Sequence, residues 1–121
     1  MSLSAYRRVK SLAEHPRGTE SRLIGEITGE MLSGWEAGLR GAQLMPALHR
    51  NREMWTMFST ACMSEGNQLP DTTRAAIVSL ALWVDRFTSE VVRGQETIEP
   101  LVSVNRSLIG GLAGGAQSMA A

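Results

Sequence analysis

Residues 74–94 read RAAIVSLALWVDRFTSEVVRG, and this stretch decides the fold of the chain. Within residues 75–84 only Ser79 is polar, whereas charged residues recur from Asp85 onward. A segment that is apolar on nearly every side is typical of a helix surrounded by other helices. Asp71 suits its first turn, and Gly94 suits its C-terminal end. We therefore expect a helix that needs covering by the rest of the chain, by a partner, or by both.

Length, charge and cysteine content restrict what this chain can be. Its 121 residues fit one domain, residues 1–121, and its 12 basic and 12 acidic residues cancel. Bulk attraction to nucleic acid or to a membrane surface is therefore not expected. The single cysteine excludes an intramolecular disulfide, and one cysteine with two histidines makes no zinc ligand set. The longest apolar run is about half of what a membrane helix needs, and no signal peptide is recognisable, so we expect a cytoplasmic protein without cofactor or metal.

Helical periodicity recurs along the whole chain, and alternating strand patterns are nearly absent. One helix is predicted to open at Thr19, a second near Pro46, and the last to cover residues 98–112. Turns are expected between Gly38 and Pro46 and again around Gly66. The sequence thus predicts an all-α fold: a single compact bundle of four to five helices. A short N-terminal helical arm is expected at residues 1–15 and a frayed tail at residues 113–121.

Residues that might support catalysis are few and isolated. His15 and His49 have no neighbour that would orient them as a general base, and Cys62 lies on an apolar stripe, where a small buried side chain is the better interpretation. The glycine-rich IGGLAGG at residues 109–115 lacks the preceding strand and the lysine of a phosphate-binding loop. We expect no enzymatic activity and no small-molecule substrate.

Candidate binding residues are apolar ones. Met54, Met57 and Met63 cluster on or beside the second predicted helix, and methionine adapts to irregular apolar partners. Plain core packing is nevertheless the favoured interpretation of this cluster. In the N-terminal arm, Leu3, Tyr6, Val9 and Ala13 form a stripe on a segment too short to be helical alone. Tyr6, Val9 and the three methionines are the predicted lining of a groove that accepts a foreign helix.

Several motifs then resemble one family. NREMWTMF (51–58), GNQLPDTTRAAIVSLALWVDRFTSEVVRG (66–94) and IEPLVSVNRSLIGGL (98–112) are similar to the bacterial flagellar regulators called FlaF. Ala5-Tyr6 and PRGTESRLIGEIT (16–28) resemble the opening of that family, so the resemblance covers nearly the whole chain. Residues 36–48 do not contribute to the resemblance. Four polar residues fall within these motifs, and each is interpreted either as a partner contact or as a tie between the last two helices: Arg86, Glu90, Asn105 and Arg106.

The resemblance implies an all-helical cytoplasmic protein required for flagellin production and filament assembly. It also implies a functional link to FlbT, which restrains translation of flagellin mRNA. Two mechanisms follow from it: binding of unassembled flagellin as an export chaperone, or post-transcriptional control of flagellin mRNA through RNA together with FlbT. Apolar helices and zero net charge favour the flagellin chaperone. Arg50 and Arg52 would serve the RNA alternative, although a solvated helix face is the favoured interpretation of both.

Overall fold

The computed structural model describes the backbone of residues 19–120 and the side chains of residues 21–110. Four α-helices follow one another: α1 (Thr19–Glu36), α2 (Met45–Cys62), α3 (Asp71–Val92) and α4 (Glu99–Ala120). A 3-10 helix, Gly41–Leu44, leads into α2. No strand occurs in this part of the chain, so the predicted all-α bundle is confirmed. The predicted arm at residues 1–15, with Tyr6 and Val9, lies outside the described residues.

Two of the helices end in the way their glycines predict. Gly38 (φ +89°) and Gly94 (φ +77°) adopt the left-handed conformation just after α1 and α3. Beyond Gly38, the Leu39 amide donates to the Gly34 carbonyl, and beyond Gly94 the Gln95 amide donates to the Glu90 carbonyl, each at 3.0 Å. These are Schellman caps, in which the final carbonyls of a helix find donors across a left-handed residue. They fix where the chain reverses direction.

Successive helices run antiparallel and form a ring in the order α1, α2, α3, α4. Arg50 of α2 pairs with Glu30 of α1, and on the other side of α2 Arg52 lies 3.1 Å from Asp85 of α3. Thus α1 and α3 begin at the same end of the bundle, the end at which α2 and α4 finish. The apolar side of α2 lies at the centre of the core, and its buried members are Leu48, Met54, Trp55, Phe58, Ala61 and Cys62.

A buried polar network connects three of the helices. The Asn105 side chain of α4 accepts a hydrogen bond from Trp55 Nε1 (2.8 Å) and donates to Thr28 Oγ1 (3.0 Å) and Asn51 Oδ1 (2.8 Å). Asn51, Asn105 and Thr28 are all buried, the two asparagines completely. Buried amides are costly unless paired, so this network favours one register of α4 against α1 and α2.

Two expectations are wrong. Residues 75–84 of α3 are not enclosed on all sides by the described part of the chain: only Ile77 and Val84 are buried, and Leu82 is 60% exposed. The reason is that α3 packs along α2 but contacts α4 at few positions. In addition, α4 continues to Ala120 and does not end near Leu112, since no proline follows that would stop the helix.

Candidate functional site

The side of α3 that is turned towards α4 carries an uncovered row of apolar side chains. Leu80, Trp83 and Phe87 are each half-buried against the core, and Ala76 at the start of the row is exposed. Their spacing of three or four residues places all four on one face of the helix. The rings of Trp83 and Phe87 stack with centroids 4.8 Å apart and planes inclined by 22°. This face is about 160° away from the side on which Asp85 meets α2.

The other side of this row is formed by α4. On α4, Val104 is half-buried on the side that faces α3, whereas Asn105 points to the core. Since α3 and α4 contact each other at few positions, the bundle leaves the row partly uncovered. We call the space beside the row the α3–α4 groove; it is defined by Ala76, Leu80, Trp83, Phe87 and Val104.

The three predicted methionines do not share one surface. Met54 has no exposed area and belongs to the core, so a partner does not reach it in this structure. Met57 is half-buried, and Met63, just past the end of α2, is 68% exposed. The helical period separates Met54 from Met57 by about 60° around α2. Met54 therefore lies in the core, whereas Met57 lies at the boundary between the core and the surface.

The four polar motif residues also have separate positions. Asn105 is a tie within the chain, but it joins α4 to α1 and α2 and does not join α4 to α3. Glu90 accepts a hydrogen bond at 2.7 Å from Arg93, the residue just past the end of its own helix. Arg86 and Arg106 are exposed, and neither forms an ion pair with another described residue.

Arg50 and Arg52, the arginines of the RNA alternative, form ion pairs and hydrogen bonds with neighbouring helices. Arg50 donates to Glu30, and Arg52 Nη2 reaches both the Asp85 carbonyl and Ser89 Oγ at 3.3 Å. Each guanidinium is thus next to a carboxylate that offsets its charge. Arg52 is also largely covered, with 29% of its side chain exposed.

Groups suited to catalysis or to metal binding do not converge in residues 21–110. His49 is exposed and contacts Glu53 of its own helix at 3.0 Å. Burial raises the pKa of the Cys62 thiol, an effect that nearby Arg74 partly opposes. No three His, Cys, Asp or Glu side chains in that range are placed to hold a metal ion. Among the described helices, none has both the length and the apolar character required to cross a bilayer.

A cleft of about 350 Å³ lies at the end of the bundle where α1 and α3 finish, between the turns that follow these two helices. It is lined by Trp35, Arg40, Val91 and the turn residues 94–97. The Arg40 guanidinium lies 3.4 Å from the centre of the Trp35 ring and donates to the Trp35 carbonyl at 2.9 Å. Arg40 thereby holds the turn in place, and the cleft contains no nucleophile or acid–base pair.

Sequence reasoning missed the groove and the network for identifiable reasons. Periodicity alone does not show which side of an all-apolar helix lacks a neighbour, so it does not distinguish Leu80 and Trp83 from core residues. Asn51 lies between Leu48 and Trp55 on the most apolar side of α2. A polar amide on an apolar stripe was the available signal for a buried hydrogen bond.

Fold and site together define an all-helical protein with an apolar groove and no assembled catalytic centre in the described residues. The family model described as "Flagellar protein FlaF" matches residues 2–112. The chain therefore belongs to the FlaF family and has a role connected with the flagellum. No curated protein and no solved structure matches it in the same comparisons.

Proposed function

We propose that this protein binds unassembled flagellin in the cytoplasm through the α3–α4 groove. As an export chaperone it thereby promotes flagellin production and filament assembly. The observation that carries this proposal is the row Leu80, Trp83 and Phe87, which the bundle only half covers. Apolar side chains repeated at helical spacing beside a gap are the arrangement in which a groove accepts an amphipathic helix.

Flagellin offers a suitable partner because its chain ends are amphipathic and must be kept from polymerising before export. A helix lying in the groove would cover the Trp83–Phe87 stack, and each apolar Å² removed from water contributes about 25 cal/mol. Arg86, exposed on α3 beside Trp83, can contact the polar side of the same helix. Control of flagellin synthesis would follow if free and flagellin-bound protein act differently on FlbT.

RNA binding together with FlbT remains the alternative mechanism, and the side chains give it less support. Arg50 and Arg52 each have a carboxylate partner on a neighbouring helix. RNA phosphate would have to replace those partners, and the chain carries no net positive charge to compensate.

The test is a titration of monomeric flagellin with wild-type protein and two matched variants. Ala75 and Ala76 are both exposed neighbours on α3, but only Ala76 lies in the groove. We expect Ala76→Glu to weaken binding about tenfold or more, because the bound helix would bury an unpaired carboxylate. Ala75→Glu should bind like the wild type. Met54→Glu is not informative, since it would place a charge in the core.

Salt separates the two mechanisms. Flagellin affinity should change little as salt rises, since apolar burial dominates, whereas binding to the flagellin leader transcript would weaken steeply. Absence of any flagellin complex, or equal loss of affinity in both alanine variants, would refute binding through the groove. A salt-sensitive complex with RNA that Arg50→Ala and Arg52→Ala abolish would favour the alternative.

A further inference from the structure

We infer that a second copy of this chain packs against the outward face of α3, so that two molecules form an antiparallel dimer centred on Leu82. This face carries a row of exposed residues that we call the outer stripe of α3: Asp71, Ala75, Ser79, Leu82, Arg86 and Arg93. The helical period places all six within about 80° of one another around the helix. Leu82 directly precedes Trp83 and is turned about 100° away from it, so this surface is separate from the α3–α4 groove.

The centre of the stripe is a large apolar side chain that the bundle leaves uncovered. Leu82 is 60% exposed, and Met63 is the other large apolar side chain within residues 21–110 that is more than half exposed. Met63 lies in a turn, whereas Leu82 lies at the middle of a 22-residue helix. A single exposed leucine is common on protein surfaces, so the residues on both sides of it decide what covers it.

The charges of the stripe are arranged for a second copy that runs in the opposite direction. Asp71 stands eleven residues before Leu82, and Arg93 stands eleven residues after it. When two α3 helices pack antiparallel at Leu82, each Asp71 lies opposite Arg93 of the other copy. Parallel helices would instead place like charges side by side. Within one molecule these two residues pair only with Arg74 and Glu90 nearby in sequence, and such exposed pairs contribute little.

The residues between the charges allow the two helices to approach closely. Ala75 and Ser79 lie about two turns and one turn before Leu82, and both side chains are small. In the antiparallel arrangement they leave room for the leucine of the other copy, as helix pairs with axes about 8 Å apart require. Arg86 then lies opposite Val78, a half-buried residue on which its aliphatic stem can pack.

The size of this contact determines how strong the dimer should be. One helix from each copy buries less than about 1,200 Å² in total, which is the size of a transient interface. We therefore expect a dissociation constant of roughly 1–100 μM. Because the Asp–Arg pairs lie at the exposed ends of the contact, high salt should weaken the dimer only modestly.

The first experiment measures the mass of the full-length protein by sedimentation equilibrium, without flagellin, at concentrations up to about 500 μM. The mean mass should rise from that of one chain towards that of two. Leu82→Glu should raise the dissociation constant about tenfold or more, because two carboxylates would meet at the centre of the contact. Ser103→Glu, at an exposed position on α4, is the control and should dimerise like the wild type. Circular dichroism verifies that both variants are folded.

Cysteine pairing tests the direction of the two helices. In a Cys62→Ala background, Leu82→Cys should form a disulfide between two copies, because Leu82 lies opposite itself. Ala75→Cys is equally exposed but should not, since antiparallel packing holds the two copies of residue 75 about 21 Å apart. Disulfides in both variants would indicate parallel packing or random collision and would overturn the inference.

Charge reversal tests the pairing of the ends. Asp71→Arg alone and Arg93→Asp alone should each weaken the dimer, because like charges then lie opposite each other. A mixture of the two variants should form heterodimers more tightly than either variant pairs with itself, since opposite charges meet again at both ends. Equal affinities in the mixture and in the separate variants would contradict this arrangement.

Other outcomes would also overturn the inference. A protein that is monomeric at every concentration does not use the outer stripe to bind itself. Dimers that Leu82→Glu leaves intact but Ala76→Glu dissociates would place the second copy in the groove. Flagellin takes no part in these measurements, so absence of a flagellin complex would leave the dimer standing, and absence of the dimer would leave the proposed function standing.

Discussion

Replacing Asn105 with alanine tests how the bundle is held together. Asn105 is completely buried, and its side chain makes three hydrogen bonds to α1 and α2. In Asn105→Ala the Trp55 Nε1–H and Asn51 Oδ1 lose their partners in the core. Thr28 is less affected, since its hydroxyl still donates to the Ile24 carbonyl at 2.7 Å.

The expected cost follows from these two stranded groups. A buried polar group without a partner costs about 1–3 kcal/mol, and the lost side chain leaves a small cavity. We therefore expect Asn105→Ala to lower the free energy of unfolding by about 3–5 kcal/mol. This is a large part of the roughly 5–15 kcal/mol available to a domain, and it should lower Tm by about 10–20 °C.

Urea denaturation followed by circular dichroism gives the free energies, and a double-mutant cycle isolates the network. Trp55→Phe removes the indole donor, so Asn105→Ala in that background should cost about 1–2 kcal/mol less than in the wild type. Ser103→Ala, an exposed position on α4, serves as the control and should change stability by less than about 0.5 kcal/mol. A loss below about 1 kcal/mol for Asn105→Ala, with no coupling to Trp55, would refute the idea that the network holds α4 in register.

Three further outcomes are expected. Gly41→Ala should destabilise the protein more than Gly38→Ala. Both glycines have positive φ, but a Cβ at Gly41 would also lie 3.1 Å from a backbone carbonyl of α3. Thermal unfolding of the two variants measures the difference. The Cys62 thiol should react slowly with a thiol reagent at neutral pH and fast in urea, because burial raises its pKa. The unfolded chain then ionises at lower pH than the folded protein. The contribution of Cys62 to the free energy of unfolding should therefore fall as the pH rises above the ordinary thiol pKa. Arg50→Ala should change the free energy of unfolding by less than about 1 kcal/mol in denaturation experiments, because its ion pair with Glu30 is exposed to solvent.

The sequence predicts much of the helical framework because local rules govern it. Pro46 occupies the first turn of α2, and Gly38 and Gly94 end α1 and α3, as their backbone preferences require. The apolar stripe with Trp55 and Phe58 is buried as its period predicts. In each case the residues that decide the outcome are close together in sequence.

The site was harder to predict because it depends on which helices are neighbours. An apolar residue such as Trp83 is equally compatible with a core and with a half-covered groove, and only the scarcity of contacts between α3 and α4 distinguishes the two. Asn105 was recognised as a candidate tie, but its partners on α1 and α2 lie far away in sequence. Met54 and Met57 are close in sequence, yet they are separated by the edge of the core.

Amide hydrogen exchange in the flagellin complex tests the role of the groove most directly. Flagellin should slow exchange in residues 76–87 of α3, where the apolar row lies, and should leave residues 46–53 of α2, which do not line the groove, unchanged. A complex that protects α2 and leaves residues 76–87 as they are in the free protein would contradict flagellin binding through the α3–α4 groove.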